Sequence, residues 1–159
     1  MAYKKEEVVP MDKKSALLKA EHYCAYQERS QQEVRDKLFS FGLKPGEVEE
    51  VIAELIEGNF LNEERFAYAY ALGKFRMKGW GKQKIKLGLK QKRVSPKLIE
   101  LALNQINGDD YFERLKVLLV KKEALLKEAD PFKRRLKLIQ YGLSKGFEKD
   151  LILDALSVN

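Results

Sequence analysis

The sequence predicts an all-α protein: three tandem three-helix repeats forming an elongated, curved array. Three observations lead there. Apolar residues recur at three- and four-residue spacing through most of the chain, the periodicity that lines one face of a helix. Ten glycines and four prolines fall between those stretches as punctuation. The apolar pattern also returns after a shift of 51 residues and again after a further 53. No strand is expected, because apolar and polar residues never alternate for long and Val and Ile do not cluster between turn signals.

The elements follow in order from caps and breaks. A first helix is predicted over about 15–29, with Leu17, Leu18, Glu21, Cys24 and Ala25 at helical spacing. Ser30 with Glu33 reads as a capping box, so a second helix starts there, turns Val34, Leu38 and Phe41 inward and stops at Gly42. The Lys44-Pro45-Gly46 turn leads to a third helix carrying Val48, Val51, Ile52 and Leu55, closed by Gly58.

The 51-residue shift places Val34 on Ile85, Leu38 on Leu89, Leu43 on Val94, Pro45 on Pro96, Val48 on Ile99, Glu49 on Glu100, Ile52 on Leu103 and Leu55 on Ile106. The second shift puts Val94 on Phe147, Leu98 on Leu151, Ile99 on Ile152, Ala102 on Ala155 and Leu103 on Leu156, while Gly142 falls opposite Leu89. The first helices of the three copies are expected near 15–29, 63–77 and 110–128. The predicted organisation is a charged, flexible N-terminal tail over 1–14, repeat 1 over 15–60, a basic repeat 2 over 61–108 and a diverged repeat 3 over 109–159. Units of this size have little core of their own and gain by leaning on neighbours. One compact bundle of nine helices is the alternative.

Composition excludes several function classes. Among 159 residues, 45% are apolar and 35% charged, and no apolar run reaches the roughly 18 to 20 residues of a spanning helix. The start is charged with no apolar stretch behind it, so secretion and membrane insertion are not expected and a cytoplasmic location is. Cys24 can form no internal disulfide, and with His22 it makes no four-ligand zinc site. Cys24 is read as a core residue, since no second His exists to serve as its base.

No paired carboxylates, activated nucleophile or phosphate loop can be read from the chain. Gly79-Trp80-Gly81-Lys82 lacks the earlier Gly and the following Ser or Thr of such a loop, and no strand precedes it. Asp109 and Asp110, just before a helix, are accounted for by capping and the macrodipole. No catalytic residue, cofactor or metal site is expected.

Charge is the feature that stands out. Between Arg65 and Ile99 there are 11 basic residues, Arg65, Lys74, Arg76, Lys78, Lys82, Lys84, Lys86, Lys90, Lys92, Arg93 and Lys97, and no acid, so the net charge of +7 is concentrated in the second repeat. On a helix, Lys82, Lys86 and Lys90 lie about 40° apart, with Arg93 between the first two, beside the edge made by Ile85 and Leu89. Like charges at this spacing weaken a helix by a few tenths of a kcal/mol per pair, which an acidic partner would offset. That partner is a nucleic-acid backbone or an acidic protein surface; a merely solvated helix face is the bland alternative. The aromatics Phe66, Tyr68, Tyr70, Phe75 and Trp80 have the spacing of a buried helix face more than of a base-stacking platform. The predicted partner-binding residues are Arg65, Arg76, Lys78, Lys82, Lys84, Lys86, Lys90 and Arg93.

These residues resemble a known family, the RecX regulatory proteins of bacteria. The resemblance rests on a succession: Arg29-Ser30 with Glu33-Val34 and Lys37-Leu38, then Leu55 to Phe60, Glu64-Arg65-Phe66-Ala67, and Lys78-Gly79-Trp80-Gly81 with Ile85 and Leu89. A weaker third copy ends at Gly146-Phe147. Asn62-Glu63 departs from the two acidic residues often found there, and Met1 to Lys14 has no counterpart. The resemblance implies a non-catalytic modulator, usually an inhibitor, of the RecA recombinase in recombination, DNA repair and the SOS response. It implies binding in the helical groove of the RecA filament on DNA, as a monomer, with the basic second repeat facing RecA, DNA or both. A helical protein that binds single- or double-stranded DNA directly, its repeats acting as helix-turn-helix-like units, is the alternative.

Overall fold

The structure, a computed structural model, describes residues 9–157. Among the described residues there are nine helices and no strand, in three successive groups of three. The predicted tail lies largely in residues 1–8, outside the described residues. The rest of it is tied to the fold: Met11 N–H donates to the Phe41 carbonyl at 2.9 Å, and Asp12 caps a helix by accepting the Ser15 N–H. That first helix, α1 (Lys13–Tyr26), thus begins earlier than its apolar pattern indicates.

The first group is completed by α2 (Gln31–Ser40) and α3 (Pro45–Glu57). Buried Ser30 caps α2 by accepting the Glu33 N–H at 3.0 Å. Pro45 sits at the start of α3, where its missing N–H would have had no helical partner. Val34, Leu38, Val48, Val51, Ile52 and Leu55 form the core expected of them. The inward face of α1 differs from expectation. Ala16, Ala20 and Cys24 are buried, whereas Leu18 is exposed and Leu17 only half-buried, because α1 approaches its neighbours through small side chains and leaves its leucines at the rim.

The chain divides into two compact units, one ending at Phe66 and the other starting at Ala67, and the division falls inside α4 (Glu63–Lys78). Within the second unit lie the rest of α4, α5 (Lys82–Gln91), α6 (Pro96–Asn104), α7 (Gly108–Leu125), α8 (Pro131–Ser144) and α9 (Lys149–Ser157). Ile85, Leu89, Val94 and Ile99 are buried here as Val34, Leu38, Leu43 and Val48 are in the first unit. Phe147, Ile152 and Ala155 hold the matching places in the third group. Gly142, opposite Leu89 in the repeat, has a local cause: a Cβ there would lie 2.7 Å from Ile152 Cδ1, so α9 occupies the space that a leucine would need.

The repeat also shows in the backbone. Gly42, Arg93 and Gly146 occupy the same place after the second helix of each group, and all three have positive φ, at 84°, 58° and 95°. After α5 and α8 the chain closes alike, with Val94 N–H donating to the Leu89 carbonyl and Phe147 N–H to that of Gly142, both at 3.1 Å.

The second and third groups are sewn together. Gly81 N–H donates to the Lys145 carbonyl at 2.7 Å and Gln83 N–H to the Gly146 carbonyl at 2.9 Å. Gly81 caps α5 in direct contact with the Gly146-Phe147 backbone, so close that a Cβ would overlap it. The two glycines flanking Trp80 pack against the third group, Gly81 on Gly146-Phe147 and Gly79 on Leu118 and Arg114, and do not form a nucleotide-binding P-loop. Beneath it, Phe75, Tyr111 and Phe147 stack in succession with ring centroids 5.8 and 5.0 Å apart.

Candidate functional site

Six of the eight predicted binding residues fall into three sets, and Arg76 and Arg93 lie outside them. Arg65 is half-buried and already partnered. Its guanidinium pairs with Glu28 and donates to the Asn59 and Phe60 carbonyls at 3.2 and 3.3 Å, so it clamps the loop before α4 in the first unit. The acid-free window around it concealed a partner 37 residues away.

Lys82, Lys86 and Lys90 lie along α5 as the helical wheel predicts. With Gln83, Pro96, Ile99 and Leu103 they line a groove of about 420 Å³. Lys86 and Lys90 are exposed, whereas Lys82 is half-buried, its ammonium 5.1 Å from the centre of the Tyr111 ring. The groove is mixed in sign, since Glu100 and Glu148 also line it. Arg93 does not join the ridge. The helix ends at Gln91 and Arg93 turns into the left-handed region, so the wheel cannot be continued to it.

Lys84, roughly 160° from Lys86 around α5, and Lys78, at the end of α4, belong to a third set. Two residues that sequence reasoning missed complete it. Lys145, following α8, donates from Nζ to the Lys78 carbonyl at 2.9 Å. Arg114 of α7 lies under the Gly79 turn, where a Cβ on Gly79 would come within 3.3 Å of its Nη2. Lys145 is held below the ordinary lysine pKa first by burial and then by Lys84, Arg114 and Lys78, so every charged neighbour that shifts it is another cation. The half-buried Trp80 ring holds Lys84, its ammonium 4.7 Å from the ring centre, and one further ammonium, that of Lys74, at 4.9 Å. Exposed Arg76 lines a neighbouring cavity of about 340 Å³ with Arg114, Asp110 and Glu113. Among the described residues, none of the seven predicted cations other than Arg65 forms an ion pair with a carboxylate.

Burial pushes the Cys24 thiol up to about 11, which keeps it protonated and unreactive at neutral pH. Asp109 and Asp110 lie in the first turn of α7, and their N–H groups donate to the Asn107 cap at 2.9 and 3.1 Å. Among the described residues, no group of three or more His, Cys, Asp or Glu could hold a metal ion, and no helix is long and apolar enough to cross a membrane. Phe66 and Phe75 are buried, in line with the core reading of the aromatics, while Tyr68, Tyr70 and Trp80 are half-buried.

Comparison with known proteins returns one family along the chain. Residues 16–55 match the first three-helix domain of RecX, residues 62–103 the second and residues 109–156 the third. The regulatory protein RecX of Clostridium perfringens strain 13 is 35% identical over 124 residues, which cover 77% of this chain and 58% of that protein. Its counterpart in Clostridium botulinum strain Alaska E43 is 35% identical over 130 residues, covering 80% and 60%. The chain thus spans about three fifths of the length of these curated relatives. The crystal structure of RecX from Lactobacillus salivarius superposes with a TM-score of 0.83 at 26% identity, over 91% of this chain and 94% of that one. A second RecX crystal structure, at 22% identity and a TM-score of 0.81 over 87% and 68% of the two chains, has the same fold.

Proposed function

The chain belongs to the RecX family of regulatory proteins, and from that we propose that it is a non-catalytic regulator of the RecA recombinase, acting as a monomer in the cytoplasm. It binds the RecA filament on DNA, in the filament's helical groove, and inhibits or modulates ATP hydrolysis and strand exchange. The observation that carries this reading is the unbroken succession of three RecX domains along the chain. Regulation needs no active site. A protein that binds one filament state better than another shifts the equilibrium by its differential affinity alone.

The α5 groove is the proposed contact surface, because Lys86 and Lys90 are exposed there without a carboxylate partner. The test is RecA ATP hydrolysis on single-stranded DNA with the parent protein and with the Lys86→Glu, Lys90→Glu double variant. The variant should fold normally and regulate at least ten-fold less strongly. Equal regulation would remove the groove from the working surface. Lys82 is left out of the variant because a glutamate there would face Glu148 and threaten folding.

A direct DNA-binding role is the second reading, favoured by the cation set around Trp80. Comparing affinity for bare and RecA-coated single-stranded DNA separates the two. Much tighter binding to the coated strand is expected of a filament regulator.

A further inference from the structure

We propose that Lys78, Lys84, Arg114 and Lys145 form a phosphate-binding site around the Gly79-Trp80-Gly81 turn, where the second and third repeats are joined. It takes the phosphodiester of a nucleic-acid strand or a free phosphate of the same chemistry. The site is separate from the α5 groove; it deepens the direct DNA-binding reading and rests on that reading, not on the filament reading.

Five observations converge. The cations come from four stretches of chain: the end of α4, the start of α5, the middle of α7 and the residue after α8. The fold brings them together deliberately, through the Lys145 Nζ bond to the Lys78 carbonyl and the seating of Gly146 directly against the Lys84 side chain. Among the described residues, no carboxylate pairs with any of them. The Arg114 Nε is buried and has no hydrogen-bond acceptor, an unsatisfied donor that a protein ordinarily avoids. Gly79, at φ 65°, carries no side chain over the end of that guanidinium, and the Trp80 ring holds Lys84 at the edge of the turn.

Assembled like charges oppose one another, and a bound anion removes the opposition. A phosphate suits the arrangement better than a carboxylate. Its oxygens spread tetrahedrally and can meet donors arriving from several directions, whereas a carboxylate presents two oxygens in one plane, matched to a single guanidinium. An acidic protein surface is therefore the disfavoured occupant.

The test uses the full chain. Binding of a fluorescent thirty-nucleotide oligo(dT) is followed by anisotropy across a salt series, for the parent, the Lys84→Gln, Lys145→Gln double variant and Arg114→Lys. Each lost contact with single-stranded DNA should lower the slope of log K against log salt by about 0.7, so the double variant should lose roughly 1.4. Arg114→Lys keeps the charge and should retain the slope with several-fold weaker binding. In parallel, inorganic pyrophosphate should raise the melting temperature of the parent and not that of the double variant. A pyrophosphate effect lost in the variant, with unchanged DNA binding, supports the site with a free phosphate as its ligand. If the double variant matches the parent against both probes, the site is disproved. If both probes fail while the variant loses binding to RecA-coated DNA, the phosphate assignment is overturned in favour of an acidic protein partner.

Discussion

The Tyr111 hydroxyl donates to Glu148 Oε2 at 2.7 Å and accepts the Lys82 backbone N–H at 2.9 Å, so one side chain of α7 ties α5 to the chain leading into α9. Removing it with Tyr111→Phe leaves Lys82 N–H without an acceptor and Glu148 without its donor, at an expected cost of about 1 to 3 kcal/mol. Burial raises the Tyr111 pKa well above the ordinary tyrosine value. The stability it contributes is thus fully present below about pH 10, the unfolded value, and is lost as pH rises further, because the unfolded chain releases the proton first. Urea melts at pH 8 and 10.5 should show the gap between parent and variant narrowing at the higher pH. A constant gap would mean that the hydroxyl is not buried.

The phase of α5 can be tested with adjacent residues. Leu89 is fully buried and equivalent to Leu38, so Leu89→Ala should lose about 2 to 5 kcal/mol through lost burial and a cavity. Lys90 is exposed, and Lys90→Ala should change stability by no more than about 0.5 kcal/mol while weakening filament binding. Thermal melts that reversed this order would disprove the core assignment.

Arg93 has φ 58° where the other two repeats carry glycine. A side chain in this region crowds its own backbone, so Arg93→Gly should stabilise the protein by about 1 kcal/mol. If Arg93 belongs to the partner surface, the same variant binds RecA filaments more weakly although it melts later. Stabilisation with unchanged binding would leave Arg93 out of that surface.

These residues show what the sequence conveys and what it hides. Local periodicity sufficed for the burial of Leu38 and Leu89 and the exposure of Lys86 and Lys90, because these depend on a few neighbouring residues, whereas Pro45 and Gly46, read as a turn, are the first residues of α3. Periodicity failed where the helix stopped: Arg93 was projected onto a wheel that ends at Gln91. It also failed at α1, where tight packing through Ala16 and Ala20 reversed the usual preference for burying leucine. The set around Trp80 was half legible: Lys78 and Lys84 stand in the basic stretch, but Arg114 and Lys145 come from the third repeat and only the Gly81 to Gly146 seam makes them neighbours of Lys84.

Arg65 should behave as a structural residue despite lying in the basic stretch. Its pair with Glu28 is partly open to solvent and counts for little, but its bonds to Asn59 and Phe60 order a loop, so Arg65→Ala should cost about 1 to 2 kcal/mol. Binding to RecA filaments, measured per folded molecule, should be unchanged. A selective loss of binding at parental stability would return Arg65 to the partner surface.

Two glycine substitutions separate the seam from the helices beside it. At Gly81 an added methyl would overlap the Gly146 carbonyl carbon and the Phe147 nitrogen, which are backbone atoms and cannot rotate away. Relief requires the two repeats to part and to loosen the bonds from Gly81 to Lys145 and from Gln83 to Gly146, so Gly81→Ala should cost more than about 2 kcal/mol. At Gly46, inside α3, nothing lies within 4 Å of the new methyl. Alanine is the better helix former and narrows the unfolded ensemble, so Gly46→Ala should gain about 0.5 to 1 kcal/mol. Chemical denaturation of both variants provides the comparison, with hydrogen exchange at Gln83 as a local reporter of the seam. Parental stability and protection in Gly81→Ala would mean that the second and third repeats do not meet through this backbone contact in solution, and the convergence of Lys84, Arg114 and Lys145 would lose its foundation.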